Sequence, residues 1–126
     1  MNRHDRLTTV QLGSPRKRGE GLRIGTVRFL PRGVRKEDYA ELNYFDVWLP
    51  QLAPSRELLS QFKKSSISVR TFFARYRREM NSTEARQLIQ LLAEVAQRTP
   101  IAVGCYCEDE SKCHRSVLGK LIRLAT

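Results

Sequence analysis

Cysteines, acidic residues and long apolar runs are all scarce in this sequence of 126 residues. Its three cysteines are an odd number confined to positions 105–113, which does not resemble the disulfide framework of a small secreted protein. No apolar stretch approaches the roughly 20 residues that span a bilayer. The charged start, residues 1–6, is followed by no apolar signal-peptide core. We therefore expect a cytoplasmic protein with reduced thiols and no contact with a membrane.

The shortage of acidic residues leaves the chain strongly basic. Its 13 Asp and Glu face 23 Lys and Arg, which gives a formal net charge of +10. Such a surplus attracts nucleotides, nucleic acid and other anions, and the planar fork of arginine binds two phosphate or carboxylate oxygens at once. A basic surface without a ligand has the same composition. We expect an anionic small molecule or nucleic acid as partner, while the sequence assigns neither a cofactor nor an oligomeric state.

Several enzyme motifs are also missing from the sequence. No Gly-x-Gly-x-x-Gly dinucleotide motif is present, and Gly119-Lys120 lacks the upstream loop of a Walker phosphate-binding motif. The Cys-x5-Arg spacing of phosphatase loops is absent as well, because the position that would hold the arginine after Cys107 is Cys113 itself. These absences disfavour a nucleotide triphosphatase and a phosphatase.

The order of apolar segments predicts one α/β domain over residues 1–126, with a small, mostly parallel sheet and helices packed on its faces as a layered αβα sandwich. Short β-branched or apolar segments predict strands at Leu7–Leu12, Leu22–Phe29 and Ile101–Cys105. Helices are predicted after Pro54, at Ser68–Met80, after the capping signal Asn81-Ser-Thr-Glu84, and at Ser116–Leu124.

The predicted helices carry apolar stripes that we assign to the core. The stripe of the second predicted helix follows helical spacing and consists of Val69, Phe72, Phe73, Tyr76 and Met80. The corresponding faces of the next two helices are Leu88, Leu91, Leu92 and Val95, and then Val117, Leu118, Leu121 and Ile122.

The most informative segment is Cys105-Tyr-Cys107-x5-Cys113-His114-Arg115, which joins a predicted strand to a helix beginning near Cys113. Ligands of open α/β sheets bind at the carboxyl ends of strands. The first N–H groups of a helix are free and favour anions and thiolates. The sequence therefore predicts a functional site at this junction.

Several segments of the chain resemble the domain of unknown function 488 family, the YeaO-like proteins. The resemblance covers about Leu7 to Leu124 and rests on Val27-Arg28-Phe-Leu-Pro31-Arg32-Gly33-Val, Trp48-Leu, Ala53-Pro54-Ser55-x-x-Leu58, Phe72/Phe73-x-x-Tyr76-x-x-Glu79 and Cys107-x5-Cys113-His114-Arg115. It implies an α/β sandwich in a bacterial or archaeal cytoplasmic protein. It implies no particular reaction.

Our leading hypothesis is an enzyme or ligand-binding protein that acts on an anionic, nucleotide-like substrate. Cys113 would be the nucleophile and His114 the general acid or base. If the second predicted strand neighbours the strand that ends at Cys105, Arg28, Arg32 and Arg115 would form an anion clamp. Alternatively, Arg28 and Arg32 hold their own turn by pairing with the carboxylates of Asp38, Glu41 or Asp46.

Two other hypotheses stay open. A non-enzymatic module would bind nucleic acid through exposed basic residues: Arg16, Lys17, Arg18, Arg35, Lys36, Lys63, Lys64 and the arginines of Ser68–Met80. A thiol or zinc protein would use Cys105, Cys107, Cys113 and His114. Because the adjacent Cys113 and His114 rarely reach one metal ion, we assign no metal from the sequence. The nucleic-acid-binding hypothesis predicts exposed arginines on one flat face. The thiol or zinc hypothesis predicts cysteine sulfur atoms within a common metal or disulfide distance.

Overall fold

Four parallel strands form the centre of the molecule. The computed structural model describes residues 6–125. Its strands are β1 (Leu7–Gln11), β2 (Leu22–Gly25), β3 (Val47–Trp48) and β4 (Ile101–Cys105), in the order β1-β4-β2-β3, and every neighbouring pair is parallel. The predicted α/β class is confirmed. The expected lack of a signal peptide concerns residues 1–6, of which all but Arg6 lie outside the described range.

Within residues 6–125, four α-helices accompany the sheet: α1 (Arg56–Lys63), α2 (Val69–Glu79), α3 (Thr83–Arg98) and α4 (His114–Leu124). Single 3-10 turns lie at Lys36–Asp38, Pro50–Leu52 and Glu110–Lys112. The first three α-helices each begin behind a serine, Ser55, Ser68 or Ser82, whose hydroxyl accepts a hydrogen bond from the first turn. No helix among residues 6–125 is long and apolar enough to cross a membrane.

The core consists of two apolar clusters, and β4 contributes to both. In the larger cluster Ile101 and Val103 pack with apolar residues of all four helices. In the smaller cluster Ala102 and Cys105 pack with Phe45 and Cys113. All five residues of β4 are buried, because β1 and β2 flank it and both of its faces are covered. The sheet thus places the end of β4 at the middle of its carboxyl edge.

Three of the strands were predicted, and β3 was not; β1 ends at Gln11, one residue before the predicted Leu12. β4 has the predicted bounds, but β2 ends at Gly25 and not at Phe29. Thr26 still donates its N–H to the Gly104 carbonyl. Beyond it, the Val27 carbonyl accepts a hydrogen bond from Trp48 Nε1, and the Phe29 carbonyl accepts one from the Tyr106 hydroxyl. Side chains therefore replace the strand ladder over this stretch.

The helix predictions were right in number and wrong in some details. In α2 the stripe is buried at Phe72, Tyr76 and Met80 and half-buried at its other two members. In α3 the prediction of a buried Leu91 was wrong, because this side chain is 57% exposed. The face of α3 that enters the core carries small residues instead: Ala85, Ala93 and Ala96, together with Ile89 and Leu92. Alanine side chains are short, so this face of α3 can approach the neighbouring elements closely. The buried face of α3 is therefore not the predicted row of larger residues that includes Leu91.

A fully buried arginine holds two loops at the amino-terminal half of the domain. Arg23 donates through Nε and Nη2 to the two carboxylate oxygens of Glu20, both at 2.8 Å. Its Nη1 donates to the carbonyls of Ser14 at 2.9 Å and Asn43 at 2.7 Å. Next to it, Asp46 accepts hydrogen bonds from the Arg23 backbone N–H and from the Arg16 guanidinium. Burial would raise the pKa values of both carboxyl groups, but hydrogen bonds and the arginine charges outweigh burial and lower them.

These lowered pKa values predict acid sensitivity of the fold. A carboxyl group whose pKa is lower in the folded state contributes stability above its unfolded pKa and loses that contribution as pH falls through the folded pKa. The free energy of unfolding should therefore decline as pH drops through the ordinary values of 4.5 and 3.8 for Glu20 and Asp46. Urea unfolding between about pH 3 and pH 7 measures this. Asp46→Asn should flatten the profile, and an unchanged profile would contradict the assignment.

Candidate functional site

A cavity of about 300 Å³ opens at the carboxyl edge of the sheet, where β2 and β4 end side by side. Apolar side chains make most of its wall: Val27, Phe29, Pro54, Leu59, Phe62 and Phe72. Cys105, Cys107, Cys113 and His114 also line it, together with the cationic residues Arg28, Lys63 and Lys112. As supposed from the sequence, the second strand and the strand that ends at Cys105 are neighbours. This pairing brings thiols and positively charged side chains to one cavity.

Two buried cysteines meet at this cavity. The Sγ atoms of Cys105 and Cys113 are in bonding contact as a disulfide, although their Cα atoms are 7.4 Å apart. Relaxed disulfides usually span Cα distances of about 4.4–6.8 Å, so this backbone spacing favours a pair that works as two thiols. Cys107 lies outside the pair and is exposed.

His114 stands beside the pair in a fixed orientation. Its Nδ1 lies 3.8 Å from Cys113 Sγ, and its Nε2 lies 2.7 Å from the Thr26 carbonyl oxygen. A carbonyl only accepts hydrogen bonds, so Nε2 carries the proton and Nδ1 presents a lone pair to the sulfur. Burial lowers the pKa of His114 to about 4, and the Arg115 charge acts in the same direction against the Thr26 hydrogen bond. The imidazole is therefore neutral near pH 7.

Arg115 lies beneath the thiols and is only 4% exposed. Its Nη1 donates to Cys105 Sγ at 3.3 Å and to the Cys107 carbonyl at 2.7 Å, while its Nε has no hydrogen-bond partner among the described residues. Within residues 6–125 it forms no ion pair with a carboxylate. A buried charge without a carboxylate partner is costly, and a thiolate at Cys105 would compensate it.

The other two arginines of the predicted clamp have separate places. Arg28 lines the thiol cavity and donates through Nε and Nη2 to the carbonyls of Pro54 and Ala53, both at 3.1 Å. Arg32 is exposed and lines an adjoining cavity, which shares Phe29, Lys63 and Tyr106 with the first. The structure thus gathers Arg28 with Cys113 and His114, places Arg115 below them, and leaves Arg32 at the neighbouring opening.

The alternative pairing of these arginines with nearby carboxylates does not form among the described residues. Asp38 pairs with Arg35, and Asp46 pairs with Arg16. Arg28 is held by the two backbone carbonyls instead and keeps the remainder of its five N–H donors for other partners.

The segments that carried the family resemblance hold the site loops together. The Tyr76 hydroxyl donates to the Leu52 carbonyl at 2.7 Å, and its ring packs edge-on against His114 with centroids 5.1 Å apart. Glu79 accepts hydrogen bonds from the Ser55 N–H at 2.8 Å and the Ser55 hydroxyl at 2.6 Å. These contacts hold His114 and the segment around Pro54, both of which line the cavity.

The sequence interpretation missed three contributors to the site. Lys63 and Lys112 come from the end of α1 and from a 3-10 turn, and neither position has a local motif. Thr26 contributes through its backbone carbonyl, which no side-chain pattern reveals. One sequence signal could have predicted the contact between Cys105 and Cys113: the two residues flank the connection between β4 and α4.

Comparison with known proteins places the chain in a family. The model of the "Active DUF488-N3 subclade" matches residues 7–126. The chain is similar to the uncharacterized protein YeaO of Escherichia coli K12, with 29% identity over 109 residues, 86% of this chain and 90% of that protein. It is also similar to the uncharacterized proteins Mb3100c of Mycobacterium bovis and Rv3073c of Mycobacterium tuberculosis, each with 25% identity over 82% of this chain and 81% of the relative. No solved structure matches it significantly.

Proposed function

This chain belongs to the DUF488 family, in its active N3 subclade, and from that premise we propose that it is a thiol-dependent group-transfer enzyme. Cys113 is the nucleophile, and His114 Nδ1 accepts its proton. The Cys113 sulfur then bonds to an electrophilic atom of the substrate as the leaving group departs with its electron pair. An acceptor that enters the same cavity then attacks that atom and loses its proton, while the bond to the Cys113 sulfur breaks and its electron pair returns to Cys113 as a thiolate.

The observation that supports this proposal most directly is the cluster of Cys113, His114 and Cys105 at the wall of one open cavity. The 3.8 Å distance between Cys113 Sγ and His114 Nδ1 matches a nucleophile beside its base, at the looser spacing that free enzymes show. The Thr26 carbonyl holds the imidazole in the tautomer that this role needs. Arg115 stabilises negative charge on Cys105 from below, which keeps the second thiol reactive as well.

The substrate that we propose is anionic, either a small molecule of nucleotide type or a nucleic-acid fragment. Arg28, Lys63 and Lys112 line the thiol cavity, and none of them faces a carboxylate within ion-pair distance among the described residues. Arg32 adds a further positive charge at the adjoining opening. Clefts lined by one sign of charge raise the local concentration of oppositely charged ligands. The protein would act in the cytoplasm, where its thiols stay reduced.

Alkylation by a matched pair of reagents tests this proposal. Iodoacetate and iodoacetamide share one chemistry and differ in charge, and Cys107→Ser removes the exposed thiol as a background. With the Cys105–Cys113 pair first reduced by an external dithiol, we expect iodoacetate to modify Cys113. Its rate relative to iodoacetamide should be at least about tenfold higher than for a small free thiol, because the cavity concentrates anions. Peptide mass spectrometry locates the modified residue.

Variants separate the two parts of the proposal. Arg28→Ala should reduce the preference for iodoacetate, whereas Arg98→Ala, an equal loss of charge at the opposite end of the sheet, should not. His114→Gln should slow both reagents. The proposal fails if Cys113 is modified only after unfolding, or if the ratio of the two rates equals that of the free thiol.

A further inference from the structure

We propose that the reduced protein binds one Zn²⁺ ion through Cys105, Cys113 and His114. The donor atoms of these three buried residues all lie within 4.8 Å of one another. Thiolate sulfur and imidazole nitrogen are the ligands that Zn²⁺ prefers. The proposal needs only the positions of the donor atoms and does not depend on the proposed activity. A bound ion would occupy the Cys113 sulfur and His114 Nδ1, so the proposed reaction belongs to the metal-free protein.

The spacing of Cys113 Sγ and His114 Nδ1 fits a tetrahedral ion, whereas the two sulfurs are bonded to each other and must part on reduction. With Zn–S bonds of about 2.3 Å and Zn–N bonds of about 2.0–2.1 Å, tetrahedral angles separate sulfur from nitrogen by about 3.5 Å. Cys113 Sγ and His114 Nδ1 are 3.8 Å apart. The same geometry separates two sulfurs by about 3.8 Å. Reduction of the Cys105–Cys113 contact lets the two sulfurs part to that distance, and their Cα spacing of 7.4 Å leaves room for an ion between them.

The adjacency of Cys113 and His114 does not keep their donor atoms apart, because the chain turns between them. Cys113 has an extended backbone, with φ of −109° and ψ of 140°, and is the cap before α4, whereas His114 is the first helical residue. The change of backbone direction brings both side chains to the same side. Two adjacent residues can therefore offer their donor atoms to one ion.

The groups that orient these ligands are also those of a metal site. Zinc-bound histidines usually donate their other ring N–H to a carboxylate or a backbone carbonyl, and here the Thr26 carbonyl accepts it. Arg115 donates an N–H to Cys105 Sγ, which favours the deprotonated sulfur that Zn²⁺ requires.

The fourth coordination position would face the cavity. The three ligands all line it, and three protein ligands with one open position are the pattern of zinc sites that bind a further molecule. Cys107 is exposed and stands outside the cluster of three donors. As the ion binds, each of the two thiols loses its proton to solvent when its Zn–S bond forms, and no electron is transferred.

Titration of the reduced full-length chain with Zn²⁺ tests the site. The protein is first reduced and treated with a chelator, and then competes with a chromophoric chelator for Zn²⁺. We expect about one equivalent to bind and the melting temperature to rise with added Zn²⁺. Co²⁺ in place of Zn²⁺ should give the sulfur-to-cobalt charge-transfer bands of a thiolate site.

Single variants test whether the ion binds through these three residues. Cys105→Ser, Cys113→Ser and His114→Gln should each weaken binding by at least about tenfold to a hundredfold, the loss seen when even an orienting partner of a ligand is removed. Cys107→Ser is the matched control and should keep both stoichiometry and affinity. Cys105→Ala repeats the test if the serine variant fails to fold.

The inference is overturned if the reduced wild type binds no Zn²⁺ at micromolar concentration, or if Cys107→Ser removes binding. It is also overturned if Cys105→Ser and Cys113→Ser bind as tightly as the wild type. Alkylation of Cys113 in metal-free protein is unaffected by these outcomes. Failure of the zinc site and failure of the proposed enzyme are therefore told apart.

Discussion

Arg23→Ala should lower the free energy of unfolding by about 3–5 kcal/mol, the cost of breaking a buried ion pair by removal of one partner. Arg23 is fully buried, and Glu20 is 6% exposed. The substitution leaves the Glu20 carboxylate buried without its counter-charge. It also removes the donor from the Ser14 and Asn43 carbonyls. Urea unfolding at neutral pH measures the loss.

A neighbouring pair provides the matched control for Arg23. Arg16 forms a similar two-pronged ion pair with Asp46, but their side chains are 29% and 27% exposed. Solvent screens such a pair, so Arg16→Ala should cost less than about 1 kcal/mol. Equal losses for Arg16→Ala and Arg23→Ala would show that burial does not set the energy of this network.

The ion pair of Arg23 also marks a limit of what the sequence can predict. Strand alternation predicts which residues of β2 share a face, yet it gives no reason to bury an arginine. The burial depends on Glu20, which lies before the strand, and on carbonyls from two distant loops. Such a partner set is assembled only by tertiary structure. Composition counts Arg23 among the basic residues and does not show that it is buried.

The junction of β4 and α4 was predictable because its signals are local. The apolar run Ile101–Cys105 is bounded by Pro100 and has the length of a buried strand, and it became β4 with the same bounds. The start of α4 beside Cys113 followed from the same segment. The sequence thus located the thiols at a carboxyl strand end correctly. Their mutual distances depended on the turn of the Glu110–Lys112 segment, which has no signature of this kind.

The predicted anion clamp could be foreseen only in part: the sequence indicated which elements meet, but not where each arginine side chain points. That Arg28 lies near Cys113 follows from the pairing of β2 with β4, which topology rules made plausible. The topology does not predict the direction of each guanidinium group, because each group turns toward the backbone carbonyls to which it donates hydrogen bonds. Arg115 turns under the cysteine loop to reach Cys107, and Arg28 turns to Ala53 and Pro54. Carbonyl positions of this kind become known only with the structure.

Phe72→Ala should destabilise the domain by about 3–5 kcal/mol, because it removes a large buried ring and leaves a void. Phe72 is 2% exposed and stacks on Phe62, with ring centroids 4.2 Å apart and planes at 4°. It also contacts Phe73 at a centroid distance of 5.9 Å. The cavity wall includes both Phe62 and Phe72, so the void would open into the thiol cavity. Thermal and urea unfolding should both show the loss.

Leu91→Ala is the matched control, since the sequence assigned Leu91 to the core as firmly as Phe72. Its side chain is 57% exposed, and its replacement should change the free energy of unfolding by no more than about 0.5 kcal/mol. Alanine is also a good helix former, so α3 should not suffer. A loss below about 1 kcal/mol for Phe72→Ala would mean that the stacked phenylalanines do not belong to the core. A loss of several kcal/mol for Leu91→Ala would mean that Leu91 is buried after all.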